Sequence, residues 1–234
     1  MDQIDVYPMP EPRRPALDDA LDLMRANVIR LGALTCEAVG RGTQALLDRD
    51  LAGAEHVLEH DQVVDDLAAE IEMQCSDIIA TQAPVAKDLR RLLVTLRVVH
   101  ELERSADLMV NVAKATRRMY PNELDPKIRG IIDQMGNQAI AELRLAIDAY
   151  ADESVEQASA LADMDEAMDE LTKSLFRQIF TWGTSEEATL QAAVQTALVG
   201  RHFERIADHA VTIAERTKYL VTGETPRGSR HSHT

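Results

Sequence analysis

The chain has 234 residues, 45% of them hydrophobic but only 3% aromatic, with 10 glycines and 8 prolines. That length is ample for a sizeable core, and the Ala/Leu/Glu-rich balance predicts an all-α fold and argues against strand-rich classes. Forty acidic against 25 basic residues leave a formal net charge of −15, which disfavours nucleic-acid phosphates and anionic membranes as direct ligands.

Cys36 and Cys75 sit at no metal or disulfide spacing, a usage that fits a reducing compartment. The opening Met1-Asp2-Gln3-Ile4-Asp5 lacks the basic lead and apolar run of a signal peptide, and no apolar run approaches the ~20 residues of a membrane span. A cytoplasmic protein without membrane insertion is expected.

Residues 1–15 carry four prolines and predict an irregular lead-in. A first helix is expected from about Ala16 to Leu47, with Gly32, Gly40 and Gly42 marking a kink or a close helix contact. A second follows Asp48 or Asp50 as N-cap and ends before Pro84, which can sit in the first turn of a third helix running to about Met119. Tyr120-Pro121-Asn122-Glu123-Leu124-Asp125-Pro126 is the best internal boundary. Helices are then expected from about Lys127 to Tyr150, from Val155 to Trp182 with Gly183 closing it, and from Ser185 to Val221. The implied organisation is a first three-helix bundle over 16–122, a second over 123–222, and a disordered tail over 223–234.

The halves repeat each other. Glu103-Arg104-Ser105-Ala106-Asp107 through Ala113 aligns without gaps on Glu204-Arg205-Ile206-Ala207-Asp208 through Ala214, at an offset of 101. One helix earlier, Asp61 through Leu67 aligns on Asp165 through Leu171 at an offset of 104. Each half therefore carries two acid-x-x-x-acid pairs: Asp61/Asp65 with Glu103/Asp107, and Asp165/Asp169 with Glu204/Asp208. Helical spacing places these acids on or at the edge of the apolar stripes, so they are expected to face inward.

Four carboxylates converging in a partly desolvated groove require raised pKa values or a cation. Their oxygens suit hard cations such as Mg²⁺, Mn²⁺, Ca²⁺ or iron. Asn111, one turn beyond Asp107, adds a carbonyl oxygen that Thr212 replaces in the second half, so the second site is expected to release metal first. The bland alternative is that the acids pair with Arg90, Arg91, Arg104, Arg201 or Arg205, or are simply solvated. The repeat register of all four pairs weighs against it.

The phrase Glu101-Leu102-Glu103-Arg104-Ser105-Ala106-Asp107-Leu108-Met109-Val110-Asn111-Val112-Ala113, with Gln82-Ala83-Pro84-Val85-Ala86-Lys87-Asp88-Leu89-Arg90 upstream, closely resembles the PhoU family over about residues 16–222. The resemblance implies two tandem three-helix bundles and no enzymatic activity. It implies a cytoplasmic negative regulator linking a phosphate ABC transporter, through its ATPase subunit, to a phosphate-sensing histidine kinase. It also implies metal ions held at Asp61, Asp65, Glu103, Asp107 and Asn111, and at Asp165, Asp169, Glu204 and Asp208. Ser105 departs from the family's usual Ile, and Ala106 and Ala207 from its usual Gly, all steric changes beside the acids. Whether the chain also forms a homodimer stays open at this stage.

Three other readings compete. A carboxylate-bridged di-iron enzyme needs Glu-x-x-His on two helices, and no histidine here has a Glu three residues before it. An HD-type phosphohydrolase rests on His60-Asp61 alone; His60, His100 and His202 read as residues beside the motifs rather than ligands. A metal-free helical adaptor is separated from the metal reading by elemental analysis.

Overall fold

The computed structural model describes residues 15–181 and 187–224. The expected lead-in, Trp182, Gly183, Ser185 and most of the tail lie outside the described residues. Six helices follow one another: α1 (Pro15–Asp48), α2 (Leu51–Gln82), α3 (Ala86–Met119), α4 (Pro126–Ala151), α5 (Val155–Thr181) and α6 (Glu187–Thr222).

Local chemistry sets the starts. Asp50 caps α2 by accepting from the Ala52 N–H at 3.0 Å, and Asp125 caps α4 by accepting from Lys127 N–H at 2.9 Å, with Pro126 in the first turn. Ser154, which repeats Asp50 at an offset of 104, accepts from Gln157 N–H at 3.2 Å at the start of α5. Pro84 does not enter α3 as expected. Val85 stays extended as N-cap and the helix begins at Ala86, after a left-handed Ala83 at φ 44°.

Within each half the three helices pack on one another, and the halves meet where α1 lies along α4 and α3 along α6. Among the described residues α2 and α5 touch only helices of their own half, so they are the outer members. The core is continuous across both halves, running from Met24 and Leu31 through Leu102 and Met109 to Ile132 and Phe203, all fully buried.

The crossing of α1 and α4 shows the repeat in three dimensions. A Cβ on Gly32 would stand 2.3 Å from Ile147 Cδ1, and one on Gly136 would stand 2.6 Å from Thr43 Cγ2. Gly32 and Gly136 are equivalent at an offset of 104, and so are Thr43 and Ile147. Close approach of two helices, rather than a kink, accounts for these glycines.

The α3–α6 seam is less symmetric. His209, 7% exposed, donates from Nδ1 to Ser105 Oγ at 2.9 Å while that hydroxyl donates to the Glu101 carbonyl at 2.7 Å. Burial, with Arg104 and Arg205 nearby, pushes the imidazole down to about 4, so it is neutral near pH 7. Its repeat mate is Leu108, which is 4% exposed. Cys36 and Cys75 are free and buried, and desolvation pushes both thiols up to about 11, as befits core groups rather than nucleophiles.

Candidate metal centres

On the outer helix α2, the four-residue spacing turns Asp61 and Asp65 to one side, toward the Glu103 and Asp107 face of α3. Asp61 is half-buried. Its carboxyl is pushed up to about 6, first by desolvation and then by the charges of Asp65 and Asp107, with Glu103 adding and Lys114 opposing. Asp65 is raised by desolvation, then by Asp107 and Asp66. The fold thus brings all four predicted acids of the first half into one electrostatic group.

The expectation that the acids face inward is corrected. Asp107, Asn111, Asp169 and Asp208 are exposed, and Asp61, Asp65, Glu103, Asp165 and Glu204 are intermediate. The inward positions of α3 go to Ala106, Met109 and Val112, because ionised carboxylates lose too much hydration in a core. The Asn111 amide is turned back, donating to the Asp107 carbonyl at 3.2 Å, and Thr212 does the same to Asp208 at 2.9 Å. His100 Nδ1 stands 3.6 Å from Glu103 Oε2.

In the second half, Glu204 is already paired: Arg201 Nη1 reaches its two oxygens at 2.6 and 2.5 Å. The ion-pair alternative therefore holds for this acid. Arg91 instead meets Glu153 at 2.5 Å, and Arg90 donates to the Leu220 carbonyl at 3.0 Å.

Another acid lies within reach of the charges of Asp165 and Asp208. Glu142 on α4 is 0% exposed, and desolvation pushes its carboxyl up to about 7, with Asp165 and Asp208 adding to the rise and a hydrogen bond from Gln138 opposing it. Gln138 Nε2 donates to Glu142 Oε1 at 2.8 Å and to the Met164 carbonyl at 3.1 Å. Oε2 of Glu142 has no hydrogen-bond partner. A search for acid-x-x-x-acid pairs passes over this residue. The available signal is a lone Glu inside the apolar run Ala139, Leu143 and Ala146.

Among the described residues, no three His, Cys, Asp or Glu side chains are already drawn around one cation position. Desolvation first, and the neighbouring like charges second, raise the carboxyls of Asp61, Asp65 and Glu142.

The family of the chain follows from comparison with known proteins. The PhoU domain matches twice, over residues 28–116 and 132–217. The chain belongs to the PhoU family. The phosphate-specific transport system accessory protein PhoU homolog of Rhizobium meliloti (strain 1021) is 30% identical over 215 residues, 92% of this chain and 91% of the relative. PhoU homolog 1 of Mycobacterium tuberculosis (strain ATCC 25618 / H37Rv) is 36% identical over 205 residues, 84% of this chain and 90% of the relative. The crystal structure of PhoU from Pseudomonas aeruginosa superposes with a TM-score of 0.83 at 27% identity, over 89% of this chain and all of that one. That of the phosphate transport system regulatory protein PhoU from Streptococcus pneumoniae gives 0.81 at 27% identity, over 89% and 98%. Two tandem three-helix bundles are thus the PhoU fold, and no helix among the described residues is long and apolar enough to cross a membrane.

Proposed function

We propose that this chain is a non-enzymatic, cytoplasmic negative regulator of phosphate uptake and phosphate-starvation signalling. It acts by contacts with the ATPase subunit of a phosphate ABC transporter and with a phosphate-sensing histidine kinase. The observation that carries this reading is the near full-length match to relatives described as accessory proteins of phosphate-specific transport. A net charge of −15 on long helix faces supports protein partners with basic patches, for which complementary charge sets orientation and encounter rate.

Each acidic group fits a hard cation. Asp61, Asp65, Glu103 and Asp107 in the first half, and Asp165, Asp169, Glu204 and Asp208 in the second, offer oxygen donors from two neighbouring helices. A bound Mg²⁺, Mn²⁺ or iron ion would neutralise the repulsion now borne by Asp61 and Asp65, and would tie α2 to α3 and α5 to α6. Asn111 Oδ1 and Thr212 Oγ1 can join while their N–H and O–H groups keep donating to the backbone carbonyls one turn back. The metal-free adaptor is the second reading, favoured at Glu204 by its Arg201 partner.

Deleting the gene should switch on phosphate-starvation genes in phosphate-rich medium, and the purified chain should capture the kinase's cytoplasmic region or the transporter ATPase in a salt-sensitive way. Continued repression with neither partner captured at low ionic strength would sink the regulatory reading. Elemental analysis of chain purified without chelator decides between the metal-bound and metal-free forms.

A further inference from the structure

We propose that Glu142 is the inward ligand of the second acidic group, so that the second half holds a hard cation more tightly than the first. This rests on the reading that the acidic groups bind cations. Three observations lead to it. Glu142 is 0% exposed, yet its Oε2 has no hydrogen-bond partner, an arrangement that a buried carboxyl rarely keeps without a ligand. The unpartnered carboxyl lies within reach of the charges of Asp165 on α5 and Asp208 on α6, and a cation would have to draw these side chains together, since among the described residues no three acids already surround one position. Its other oxygen is fixed by Gln138, whose amide is itself anchored on the Met164 carbonyl beside Asp165, and this bridge orients the carboxyl as an outer hydrogen bond orients a metal ligand.

The first half lacks this acid. Ala38 stands at the equivalent position of α1, at the same offset of 104 that relates Gly32 to Gly136 and Asp61 to Asp165. A small cavity of about 70 Å³ opens there, lined by Leu34, Ala38, Val57 and Ala106 with Asp61, and at its rim by Glu37, an exposed acid already paired with Arg41 at 2.7 Å. A cation at the second group would meet an additional anionic oxygen from below, in a desolvated position where charge acts more strongly than at the rim. The Asn111/Thr212 exchange argues for the opposite order. It concerns two exposed or half-exposed side chains, and neither carries charge.

The test is Mn²⁺ binding to chelator-stripped full-length chain, followed by titration calorimetry. The wild type should show a tighter and a weaker class of site. Glu142→Gln, which keeps shape and removes charge, should weaken the tighter class at least ~10-fold and leave the weaker one in place. Asp165→Asn with Asp208→Asn should remove the tighter class, and Asp61→Asn with Asp107→Asn the weaker. Glu142→Leu gives the readout that a purely structural role would not produce: loss of tight binding with the metal-free melting temperature held or raised, since an apolar group there relieves a buried, unpartnered oxygen. Unchanged tight binding in Glu142→Gln, or loss of the tighter class on substituting Asp61 and Asp107, overturns the proposal. No Mn²⁺ binding by the wild type overturns the cation reading and this proposal with it.

Discussion

The two halves carry the same acids in the same register and differ in what lies beneath them. Under Asp61 the α1 position is Ala38 and a small cavity remains, whereas under Asp165 and Asp208 the α4 position is the buried Glu142. The rim differs too: Glu103 faces His100 at 3.6 Å, while Glu204 is held by Arg201 at 2.5 Å. A duplicated fold preserves the backbone that sets helix spacing and leaves single positions free to change charge. The tight turns teach the same lesson. Arg49 and Glu153 are equivalent, both adopt positive φ (56° and 48°), and they carry opposite charges. Arg49 meets Glu123 at 2.8 Å, and Glu153 meets Lys87 and Arg91 at 2.9 and 2.5 Å.

The comparison is broken most severely in the core. Leu102 and Phe203 are equivalent and fully buried in one continuous cluster. Phe203→Ala should cost about 3–5 kcal/mol and Leu102→Ala about 2–5 kcal/mol. Each should lower the midpoint of a single denaturant transition monitored by circular dichroism. A second transition appearing in either variant would mean that the halves unfold separately despite the shared α1–α4 and α3–α6 seams.

The next effect is that of the cation. Replacing Glu103, Asp107, Glu204 and Asp208 together by alanine should abolish bound metal by elemental analysis. It should also remove the stabilisation of about 2.7 kcal/mol expected for wild type at a cation concentration 100 times Kd. A wild-type melting temperature that does not move at saturating Mg²⁺, Mn²⁺ or iron supports the metal-free adaptor.

The helices were legible because their signals are local. Asp50 announces the start of α2, Pro121 and Pro126 mark the break before α4, and 3.6-residue periodicity reports the helical segments. The acid register was legible because it is written twice. What the sequence concealed was set by neighbours from other helices. The depth of Glu142 depends on α5 and α6 packing over α4, and the pairing of Glu204 depends on the side-chain conformation of Arg201. The turning of the Asn111 amide nitrogen back to the Asp107 carbonyl is likewise a side-chain choice that periodicity does not report.

The turns give a smaller and pH-dependent contrast. Desolvation raises Glu153, but hydrogen bonds from Lys87 and Arg91 outweigh it and hold the carboxyl below its ordinary 4.5. Its contribution to stability is therefore full above that value and is lost as pH falls through the lower folded one. Glu153→Gln should cost about 1–2 kcal/mol at pH 7 and flatten the acid limb of the stability profile. Arg49→Gln, which breaks an exposed pair, should cost under about 1 kcal/mol and leave the acid limb as in wild type. Equal acid limbs in wild type and Glu153→Gln would show that the charge at this turn is incidental.

The smallest effect concerns the rim of the second site. Arg201 reaches both oxygens of Glu204 from one Nη1, but its side chain is 54% exposed and it sits only three residues away on the same helix. Such a pair contributes little to stability, so Arg201→Gln should shift unfolding by less than about 0.5 kcal/mol. Its effect on the site is indirect. A cation that recruits Glu204 must first displace the guanidinium, and removing that competitor should tighten Mn²⁺ binding in the second half by roughly two- to fivefold, the equivalent of one exposed ion pair. His100→Ala should change the first half less, because its 3.6 Å approach to Glu103 is longer than the Arg201–Glu204 contact. Titration of the two variants side by side separates competition from support: if Arg201→Gln weakens the cation instead, the guanidinium is positioning Glu204 for it, and the rims of the two sites differ in kind rather than in degree.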